Sequence, residues 1–303
     1  MQRRDQLKTS VTITRLLYIC PLCRVPLTAD SDALHCSSCG ARYPVEDGIA
    51  DFSGGAYYDH FTGPESLGEE HRVGLAGEVE GSRWRIERFY APRLARGSSV
   101  LDVGCGNGVS VDVLHELGFD ACGIDLSSLR KWQWREREHR DRLAVASALE
   151  LPFPEAAFDV VLSSGVIEHI GVEEFGGATY SVRPLVNRDA LRDTFAAELL
   201  RVTKPGGKVY IDCPNGAFPI DFWHGAVAGN ARWHSWKEGF LPSFRDVKRH
   251  VGNVTEIRRL PARDRFAFKQ VGRHWYGKAF RAPMAWWLRF ARGTPYLVVE
   301  ITR

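Results

Sequence analysis

The stretch VLDVGCGNG, residues 100–108, decides the fold class of this chain. Apolar residues surround one aspartate, and glycines then follow at alternate positions. This pattern predicts a buried strand that runs into a loop with few side chains. Glycine has no Cβ, so such a loop can turn tightly and let the backbone approach a ligand closely.

The loop differs from two well-known phosphate-binding loops. The dinucleotide motif G-x-G-x-x-G would place its third glycine at position 109, where this chain has valine. A P-loop is excluded because no Gly-Lys-Ser or Gly-Lys-Thr follows. The glycines alone leave the ligand open, and a hydride-transferring dehydrogenase that uses NAD is one alternative.

Predicted strands and helices alternate around this loop. The strands cover residues 99–104, 120–126, 158–165 and 207–214, and the helices cover 82–97, with Ser82 as N-cap, 110–118, 128–142 and 190–203. Residues 295–303 predict a last strand with no helix after it, and residues 254–260 are the candidate for its antiparallel neighbour. Repeated strand–helix units favour an α/β fold with a mostly parallel sheet.

Asp125 ends the second predicted strand, 21 residues after Gly104, in the sequence GIDLS. In dinucleotide-binding folds, a carboxylate at this place accepts hydrogen bonds from the ribose hydroxyls. The position of Asp125 therefore predicts ribose binding and leaves the rest of the cofactor open.

Four of the seven cysteines form two C-x-x-C pairs separated by twelve residues: Cys20, Cys23, Cys36 and Cys39. Two such pairs can direct four thiolates at one tetrahedral Zn²⁺ ion. Four protein ligands leave no open position, so the zinc is predicted to be structural and to stabilise a segment too short to build a core of its own. Two disulfides or a redox pair are the alternatives.

The residues after the second pair read GARYPVEDGIADF, residues 40–52. With these flanking residues, the segment 18–52 resembles the small zinc-ribbon family that includes the activator subunit of certain tRNA and translation-factor methyltransferases. The resemblance implies a ribbon packed on a partner domain. The other three cysteines lie in apolar or loop contexts and are interpreted as small buried residues.

Four segments appear in a fixed order along the chain: VLDVGCGNG, GIDLS, ALELPFPEAAFDVVLSSGVIEHI and RVTKPGGKVYIDCPNG. Together they resemble the class I S-adenosylmethionine-dependent methyltransferases. The resemblance implies a Rossmann-like seven-stranded sheet, mostly parallel with an antiparallel last strand, preceded by a small zinc ribbon. The expected domains are a zinc ribbon at 1–55, a linker and leading helix at 56–98, and a methyltransferase domain at 99–303 with aromatic-rich lid inserts at about 215–243 and 262–293.

The resemblance also implies which residues hold S-adenosylmethionine. The glycine loop would border the amino acid part of the cofactor, Asp125 the ribose, Leu126 and residues 147–149 the adenine, and residues 164–165 the methionine portion. The full predicted set is Asp102, Gly104, Cys105, Gly106, Gly108, Asp125, Leu126, Ser147, Ala148, Leu149, Ser164 and Gly165. Many relatives have an aspartate where this chain has Ser147, and a serine can bind the adenine amino group only without charge assistance.

His169, in VIEHI, lies where members of this family place residues near the transferred methyl group. The ordinary pKa of histidine, near 6.5, suits a general base for a hydroxyl acceptor. His224 and His234 are the competing candidates, and the alternative is that Glu168 and His169 only shape the pocket.

Two aspartates and the metal requirement complete the expected chemistry. Asp159, at the start of a strand, is expected to tether loops, and Asp212 is a further candidate to face the acceptor. The sequence shows no second group of metal ligands in the methyltransferase domain, so a metal-independent transfer is expected.

The net charge of +3 conceals a basic end of the chain. Residues 241–303 contain 14 Lys or Arg against four acids, interleaved with aromatic residues. Basic surfaces with aromatic side chains are typical of RNA-binding proteins, so an rRNA or tRNA methyltransferase is the main alternative function. Against it, no known RNA-binding motif is visible, and a solvated basic face explains the charge equally well.

The favoured acceptor is a small molecule, a glycan or a lipid-linked molecule of a biosynthetic pathway, methylated on a hydroxyl. PNGAFPIDFWHG, residues 214–225, resembles the lid insert of methyltransferases from glycan and secondary-metabolite pathways, and aromatic lids suit apolar or sugar acceptors. Residues 279–293 have the composition of a membrane-surface helix, or of a core helix that extends its arginines to solvent.

No segment approaches the roughly 20 apolar residues of a membrane span. We therefore expect a cytoplasmic protein, with peripheral membrane contact through residues 279–293 as an option. A non-catalytic scaffold with the methyltransferase fold is a further alternative. The sequence does not indicate an oligomeric state.

Overall fold

The computed structural model describes residues 18–175, 180–224, 231–265 and 282–303, without positions 284, 285 and 291 of the last range. Its strands, in chain order, are β1 (Thr28–Ala29), β2 (Ala33–His35), β3 (Arg42–Glu46), β4 (Ile49–Asp51), β5 (Ser99–Val103), β6 (Asp120–Asp125), β7 (Leu143–Val145), β8 (Phe158–Ser164), β9 (Val172–Phe175), β10 (Ser181–Pro184), β11 (Thr203–Pro214), β12 (Ile220–Asp221), β13 (Arg232–Trp233), β14 (Glu256–Arg259) and β15 (Tyr296–Thr302). The helices are α1 (Glu69–Trp84), α2 (Val109–Glu116), α3 (Ser128–Trp134), α4 (Arg188–Val202) and α5 (Phe244–Val251).

Seven of these strands form the expected methyltransferase sheet, in the order β7-β6-β5-β8-β11-β15-β14. The strands from β7 to β11 run parallel, whereas β15 is antiparallel to both of its neighbours. The predicted α/β fold is confirmed, including the antiparallel last strand and the pairing of residues 254–260 with it.

The N-terminal ribbon continues this sheet instead of forming a separate layer. β4 pairs in parallel with β7, and β3, β2 and β1 follow outward, so the complete sheet has eleven strands. The backbone N–H of Phe52 also donates to the carbonyl oxygen of Val145. The sequence predicted a ribbon packed on a partner domain, but it gave no indication of a shared sheet.

Helices cover the central strands on both faces, as repeated strand–helix units require. Alternate residues of the strands point to opposite faces, so Leu101 faces the core with α4, α5 and the ribbon. Val100 faces the core with α2, Trp134 at the end of α3, and the turn after α1.

Two helices differ from the prediction. Ser82 does not cap the leading helix, because α1 begins at Glu69 and continues through Trp84 into a wider π-helical turn, Arg85–Tyr90. The glycines before Ser82 concealed this earlier start, since glycine is a weak helix former. The charged segment 128–142 is helical only as far as Trp134, whose indole N–H donates to the carbonyl oxygen of Gly106.

The ribbon is also held by side chains. Arg24 makes two hydrogen bonds of 3.1 Å to the carboxylate of Glu198 on α4, and Glu198 also accepts from Arg201 and from the backbone of Leu151. The ring of Tyr18 lies between those of Phe52 and Phe153. Burial acts to raise the pKa of Glu198, but the bonds from Arg201 and Arg24 outweigh it and hold that pKa below its usual range.

We expect Glu198→Gln to lower the free energy of unfolding at pH 7 by about 1–3 kcal/mol, the usual contribution of hydrogen bonds to a charged group. Because the pKa of Glu198 is lowered in the folded state, its carboxylate stabilises the protein at pH values above the ordinary glutamate pKa near 4.3. This stabilisation is lost as the pH falls through the lower pKa of the folded state. The difference between wild type and variant should therefore shrink from pH 7 to pH 3, as measured by urea unfolding.

Glu155→Gln is the matched control, because Glu155 is exposed and its pair with Arg303 lies at the surface. Such pairs contribute about 0–1 kcal/mol. Equal unfolding free energies for wild type and Glu198→Gln at pH 7 would show that this carboxylate does not hold the ribbon.

The expected lid inserts contribute short elements. In the first insert β12 pairs with β13, and nearby β9 pairs with β10. Most of the second insert, including residues 266–281, lies outside the described residues, so the membrane-surface helix expected at 279–293 is only partly covered. Within the described part of the chain, no helix combines the length and the apolar character needed to cross a bilayer.

Candidate functional site

The predicted cofactor residues come together at one edge of the sheet. β5, β6, β7 and β8 are parallel neighbours, so the segments that follow them share the same edge. In open α/β sheets, ligands bind in the crevice outside the carboxyl ends of the strands. The structure therefore gathers the residues of the predicted set at the place where such folds bind ligands.

The glycine loop follows β5 with a left-handed backbone. Gly104 has φ +78°, and an added Cβ would lie 2.3 Å from Cγ2 of Val166. Gly108, the N-cap of α2, has φ +76°, and its Cβ would lie 2.8 Å from Leu143. Both positions require glycine for conformation and for space. Between them, Cys105 is buried against Gly123, so it presents main chain and not its thiol to the loop.

Asp125 is tied directly to this loop. Its Oδ2 accepts a hydrogen bond of 2.9 Å from the backbone N–H of Gly106. The carboxyl group is buried, and burial raises its pKa above the ordinary value despite that bond. A buried carboxyl with remaining acceptor capacity suits the two hydroxyls of a ribose.

Asp102 lies beneath the loop and is almost completely buried. Its Oδ2 accepts from Ser110 at 2.5 Å and from Arg85 at 3.4 Å, whereas Oδ1 has no partner among the described residues. An orphaned carboxylate oxygen in the interior is costly. A cationic ligand at the glycine loop, such as the ammonium group of the methionine portion, fits this orphaned oxygen.

The predicted adenine contacts follow β6 and β7. The hydroxyl oxygen of Ser147 accepts from the backbone N–H of Leu149 at 3.1 Å, which leaves its own O–H available as a donor. Ala148 and Leu149 are partly buried and pack on the core, and so does Leu126. The structure thus brings these residues beside Asp125, and their contact with adenine stays a prediction.

Ser164 and Gly165, predicted beside the methionine portion, adjoin a buried carboxylate. Asp212 is fully buried and accepts hydrogen bonds from Tyr90, Ser164, Arg265 and Tyr296. These partners occupy both carboxylate oxygens, so Asp212 organises the end of β11 and is not the free acceptor-facing group that the sequence offered as a candidate. Asp159 tethers the start of β5, where its Oδ2 accepts from Ser99, as expected.

Sequence reasoning missed the residues that converge on Asp212. Arg265 lies in the second insert, and its guanidinium is buried on Asp212 and on the hydroxyl of Ser164. The basic composition of the tail concealed it, because a buried arginine looks the same in sequence as an exposed one. Its contacts show that part of the positive charge of residues 241–303 is buried and paired inside the protein.

The linker before the domain was also missed. Asp59 accepts from the hydroxyl groups of Ser127 and Ser128 at 2.5 and 2.8 Å, at the start of α3. The backbone N–H of Tyr58 donates to the carbonyl oxygen of Leu126. This segment, which has no clear periodicity, therefore closes over the end of β6, next to Asp125.

His169 follows β8 in a short 3₁₀ turn, and its Nδ1 lies 2.6 Å from Oε1 of Glu174. Burial acts to lower the pKa of His169, but the bond to Glu174 and the charge of Glu168 outweigh it, so the pKa is raised. Glu168 itself is buried, and burial raises the pKa of its carboxyl. His169 therefore has one ring nitrogen held by Glu174 and the other available.

His224, from the first insert, joins this group. Its Nδ1 lies 3.0 Å from Oδ2 of Asp221, and its ring centroid lies 5.3 Å from that of His169. Phe240 and Tyr180 pack around the two imidazoles. His234 is placed differently, with Nε2 bonded to the carbonyl oxygen of Phe218. The structure thus brings together two of the three candidate histidines.

In the sequence, the methyltransferase domain showed no second group of potential metal ligands. The fold brings such a group together. Single donor atoms of Glu168, His169 and His224 lie within 4.8 Å of one another. The three residues come from two segments more than fifty positions apart, which is why no spacing motif revealed them.

The four ribbon cysteines form the predicted cluster. Their Sγ atoms lie within 4.8 Å of one another, and those of Cys20 and Cys39 are 3.8 Å apart. A tetrahedral Zn²⁺ with Zn–S bonds of about 2.3 Å has S···S edges of about 3.8 Å. All seven cysteines are free, so the donor set fits a structural zinc ion.

Comparison with known proteins agrees with this geometry. Residues 101–211 match the family model of the methyltransferase domain, and residues 19–48 match the model of Trm112p-like proteins. The chain is 31% identical over 145 residues to a probable S-adenosylmethionine-dependent methyltransferase of Mycolicibacterium smegmatis. That alignment covers 46% of this chain and 49% of the relative.

Two further relatives have different substrates in their names. A 2-methyl-6-phytyl-1,4-hydroquinone methyltransferase of Synechocystis is 33% identical over 44% of this chain and 39% of its own length. A probable tRNA methyltransferase 9B of Mus musculus is 28% identical over 44% of this chain and 26% of its own length. The chain thus spans about half or less of the length of the curated relatives it matches.

Among solved structures, one match is a TehB-like SAM-dependent methyltransferase from Corynebacterium glutamicum. It is 18% identical, with a TM-score of 0.45, and the match covers 77% of this chain and 97% of that one. The chain combines a class I S-adenosylmethionine-dependent methyltransferase domain with an N-terminal Trm112p-like segment that carries a four-cysteine cluster.

Proposed function

We propose that this protein is a methyltransferase that uses S-adenosylmethionine and acts on a hydroxyl of a small molecule, a glycan or a lipid-linked acceptor. The observation that carries the proposal is the bond between Gly106 of the glycine loop and buried Asp125. It joins the two elements expected to hold the amino acid and ribose parts of the cofactor. When bound, S-adenosylmethionine supplies an electrophilic methyl group on a sulfonium.

The chain's own residues would bind and orient this cofactor. Asp125 would accept the ribose hydroxyls, and Oδ1 of Asp102 would gain the partner that it lacks. The hydroxyl oxygen of Ser147 would accept a hydrogen bond from the adenine amino group. Ser164 and Gly165, held by Asp212, would border the methionine portion. The protein's contribution to methyl transfer is then mainly alignment of acceptor and methyl group in a pocket that excludes water.

The surroundings of His169 favour a small or apolar acceptor. Tyr180, His224 and Phe240 form a wall of rings beside it, of the kind that binds apolar or sugar surfaces. The available ring nitrogen of His169 would take the hydroxyl proton, and Glu174 would stabilise the resulting charge. His169 is thus the proposed catalytic residue.

The basic tail gives less support to an RNA acceptor than its composition indicated. Several of its described arginines are paired with acids of this chain: Arg249 with Asp189, Arg258 with Glu300, Arg265 with Asp212 and Arg303 with Glu155. Paired guanidiniums contribute less to the field that attracts phosphates. The relative named as a tRNA methyltransferase keeps RNA as the second candidate.

The test is label transfer from methyl-labelled S-adenosylmethionine to an extract of the native host. We expect label in organic-soluble or small aqueous molecules, separated by solvent extraction and filtration. His169→Gln should reduce the transfer by about 100-fold or more, the scale of general base catalysis, while calorimetry shows unchanged binding of S-adenosylhomocysteine.

Wild-type protein incubated with RNase-treated extract is the control for the acceptor class. If the labelled product disappeared after RNase treatment, RNA would replace the small molecule, glycan or lipid-linked molecule as the favoured acceptor. Absence of transfer together with absence of S-adenosylhomocysteine binding would support the scaffold alternative.

A further inference from the structure

Glu168 carries an atom that the proposed methyl transfer leaves unexplained. The residue is only 1% exposed, and its Oε2 has no hydrogen-bond partner among the described residues. A buried carboxylate oxygen is costly unless a donor or a cation satisfies it. The carboxyl group adjoins His169 and His224, with donor atoms of all three residues within 4.8 Å of one another.

Both imidazoles are already oriented by carboxylates. Nδ1 of His169 is bonded to Glu174, and Nδ1 of His224 is bonded to Asp221. In each ring, Nε2 is therefore the nitrogen whose lone pair is available to bind a metal ion. Histidines that bind metals usually have their second nitrogen held by a carboxylate in this way, which fixes the tautomer and the ring orientation.

Among the described residues, the nearby arginines make no hydrogen bond to the carboxyl group of Glu168. Arg192 directs its Nε and Nη2 atoms to the carbonyl oxygens of Glu168, Ile170 and Phe240. Arg232 pairs with Asp221 and Glu238 instead. Among the described residues, four carboxyl groups (Glu168, Glu174, Asp221 and Glu238) and two guanidiniums (Arg192 and Arg232) surround the two histidines. This excess of acidic groups favours a bound cation.

We propose that Glu168, His169 and His224 bind a divalent first-row transition-metal ion. Two imidazoles and one carboxylate are a common donor set for such ions and leave coordination positions open. One part of this inference rests on the proposed function: an oxygen of the methyl acceptor would occupy an open coordination position of the ion. Binding of the ion itself does not depend on the proposed function. This inference replaces the base role given to His169 above. The available nitrogen of His169 would bind the ion, and His169 would position the acceptor through the metal.

The test is direct binding of Co²⁺ to the 303-residue chain whose ribbon has first been loaded with Zn²⁺. Calorimetry gives the affinity, and visible absorption identifies the ligands. Nitrogen and oxygen ligation gives weak bands, whereas exchange into the ribbon would give intense thiolate-to-cobalt charge transfer. We expect one Co²⁺ per chain without the charge-transfer signal, in the absence of cofactor and acceptor.

Glu168→Gln and His224→Gln should each weaken Co²⁺ binding by more than the roughly 10–100-fold that loss of an outer carboxylate costs. Glu174→Gln, which removes such an outer carboxylate, should fall within that range. His234→Gln is the matched control and should bind like wild type, because it alters a histidine of the same insert that is bonded to a backbone carbonyl.

Thermal unfolding tests whether each variant is folded, and this measurement does not depend on enzymatic activity. Wild-type protein that binds S-adenosylhomocysteine but no Co²⁺ outside the ribbon would overturn this inference and leave the proposed function intact. Co²⁺ binding that Glu168→Gln and His224→Gln leave unchanged would also overturn it. Co²⁺ binding without S-adenosylhomocysteine binding would support the metal site and contradict the proposed function.

Discussion

Asp125→Ala is expected to weaken binding of S-adenosylhomocysteine by roughly 30-fold or more. Truncating one partner of a buried, charged hydrogen-bond pair costs about 2–5 kcal/mol, and each 1.4 kcal/mol is tenfold in affinity. Asp125 also holds the glycine loop through the N–H of Gly106, so the variant would lose both the ribose acceptor and a constraint on the loop. Isothermal titration calorimetry measures the change directly.

Two further variants separate these effects. Asp125→Asn keeps an acceptor oxygen for Gly106 but removes the charge, so its affinity should lie between those of wild type and Asp125→Ala. Asp120→Asn, at the exposed start of the same strand, should bind like wild type because it alters only a surface pair with Arg142. Unchanged affinity in Asp125→Ala would contradict the placement of the ribose at this edge of the sheet.

Cys36→Ser is expected to remove the zinc ion and to lower the thermal unfolding midpoint of the whole chain, not of the ribbon alone. Structural zinc contributes on the order of 10 kcal/mol to small domains that fold around it. The ribbon shares a sheet with the methyltransferase domain and packs in the same core, so its unfolding exposes both. A net loss of about 4 kcal/mol would lower the midpoint by roughly 6 °C, because the unfolding entropy of a 303-residue chain is about 0.6 kcal/mol/K.

Calorimetry of the thermal transition and metal analysis of the same samples check this expectation. Wild-type protein stripped of metal by a chelator should show the same lowered midpoint and regain it with added Zn²⁺, whereas Cys36→Ser should not. A variant that lost its zinc but unfolded at the wild-type midpoint would show that the ribbon adds no stability to the domain.

The sequence predicted the central fold because its signals are local. The residues around Val100 combine an apolar run with glycines at fixed positions, and the two C-x-x-C pairs place four donors within twenty residues. The last strand was evident from the apolar run in PYLVVEITR, and the resemblance to methyltransferases implied its antiparallel orientation. The start of α1 was missed because the glycines before Ser82 weaken the helical pattern.

The remainder depends on long-range contacts that no local pattern encodes. The pairing of Ala50 with Ala144 joins strands almost a hundred residues apart. The hydrogen bonds of Arg265 to Asp212 bring an insert back to the middle of the sheet. The group of Glu168, His169 and His224 likewise forms only after the first insert folds over the end of β8. The predicted cofactor residues could be placed at one edge of the sheet because each lies at or just after the carboxyl end of a strand, which is a local property. Their contact with the cofactor stays a prediction.

The parallel pairing of β4 with β7 continues the sheet across the predicted domain boundary at residue 55. A fragment that began after the ribbon would leave β7 as the outermost strand, with the backbone groups of Ala144 and Val145 deprived of their partners. β7 consists of three buried aliphatic residues and carries no charge or proline to discourage pairing with another chain. The ribbon therefore covers a sheet edge that would otherwise be open to pairing with another chain.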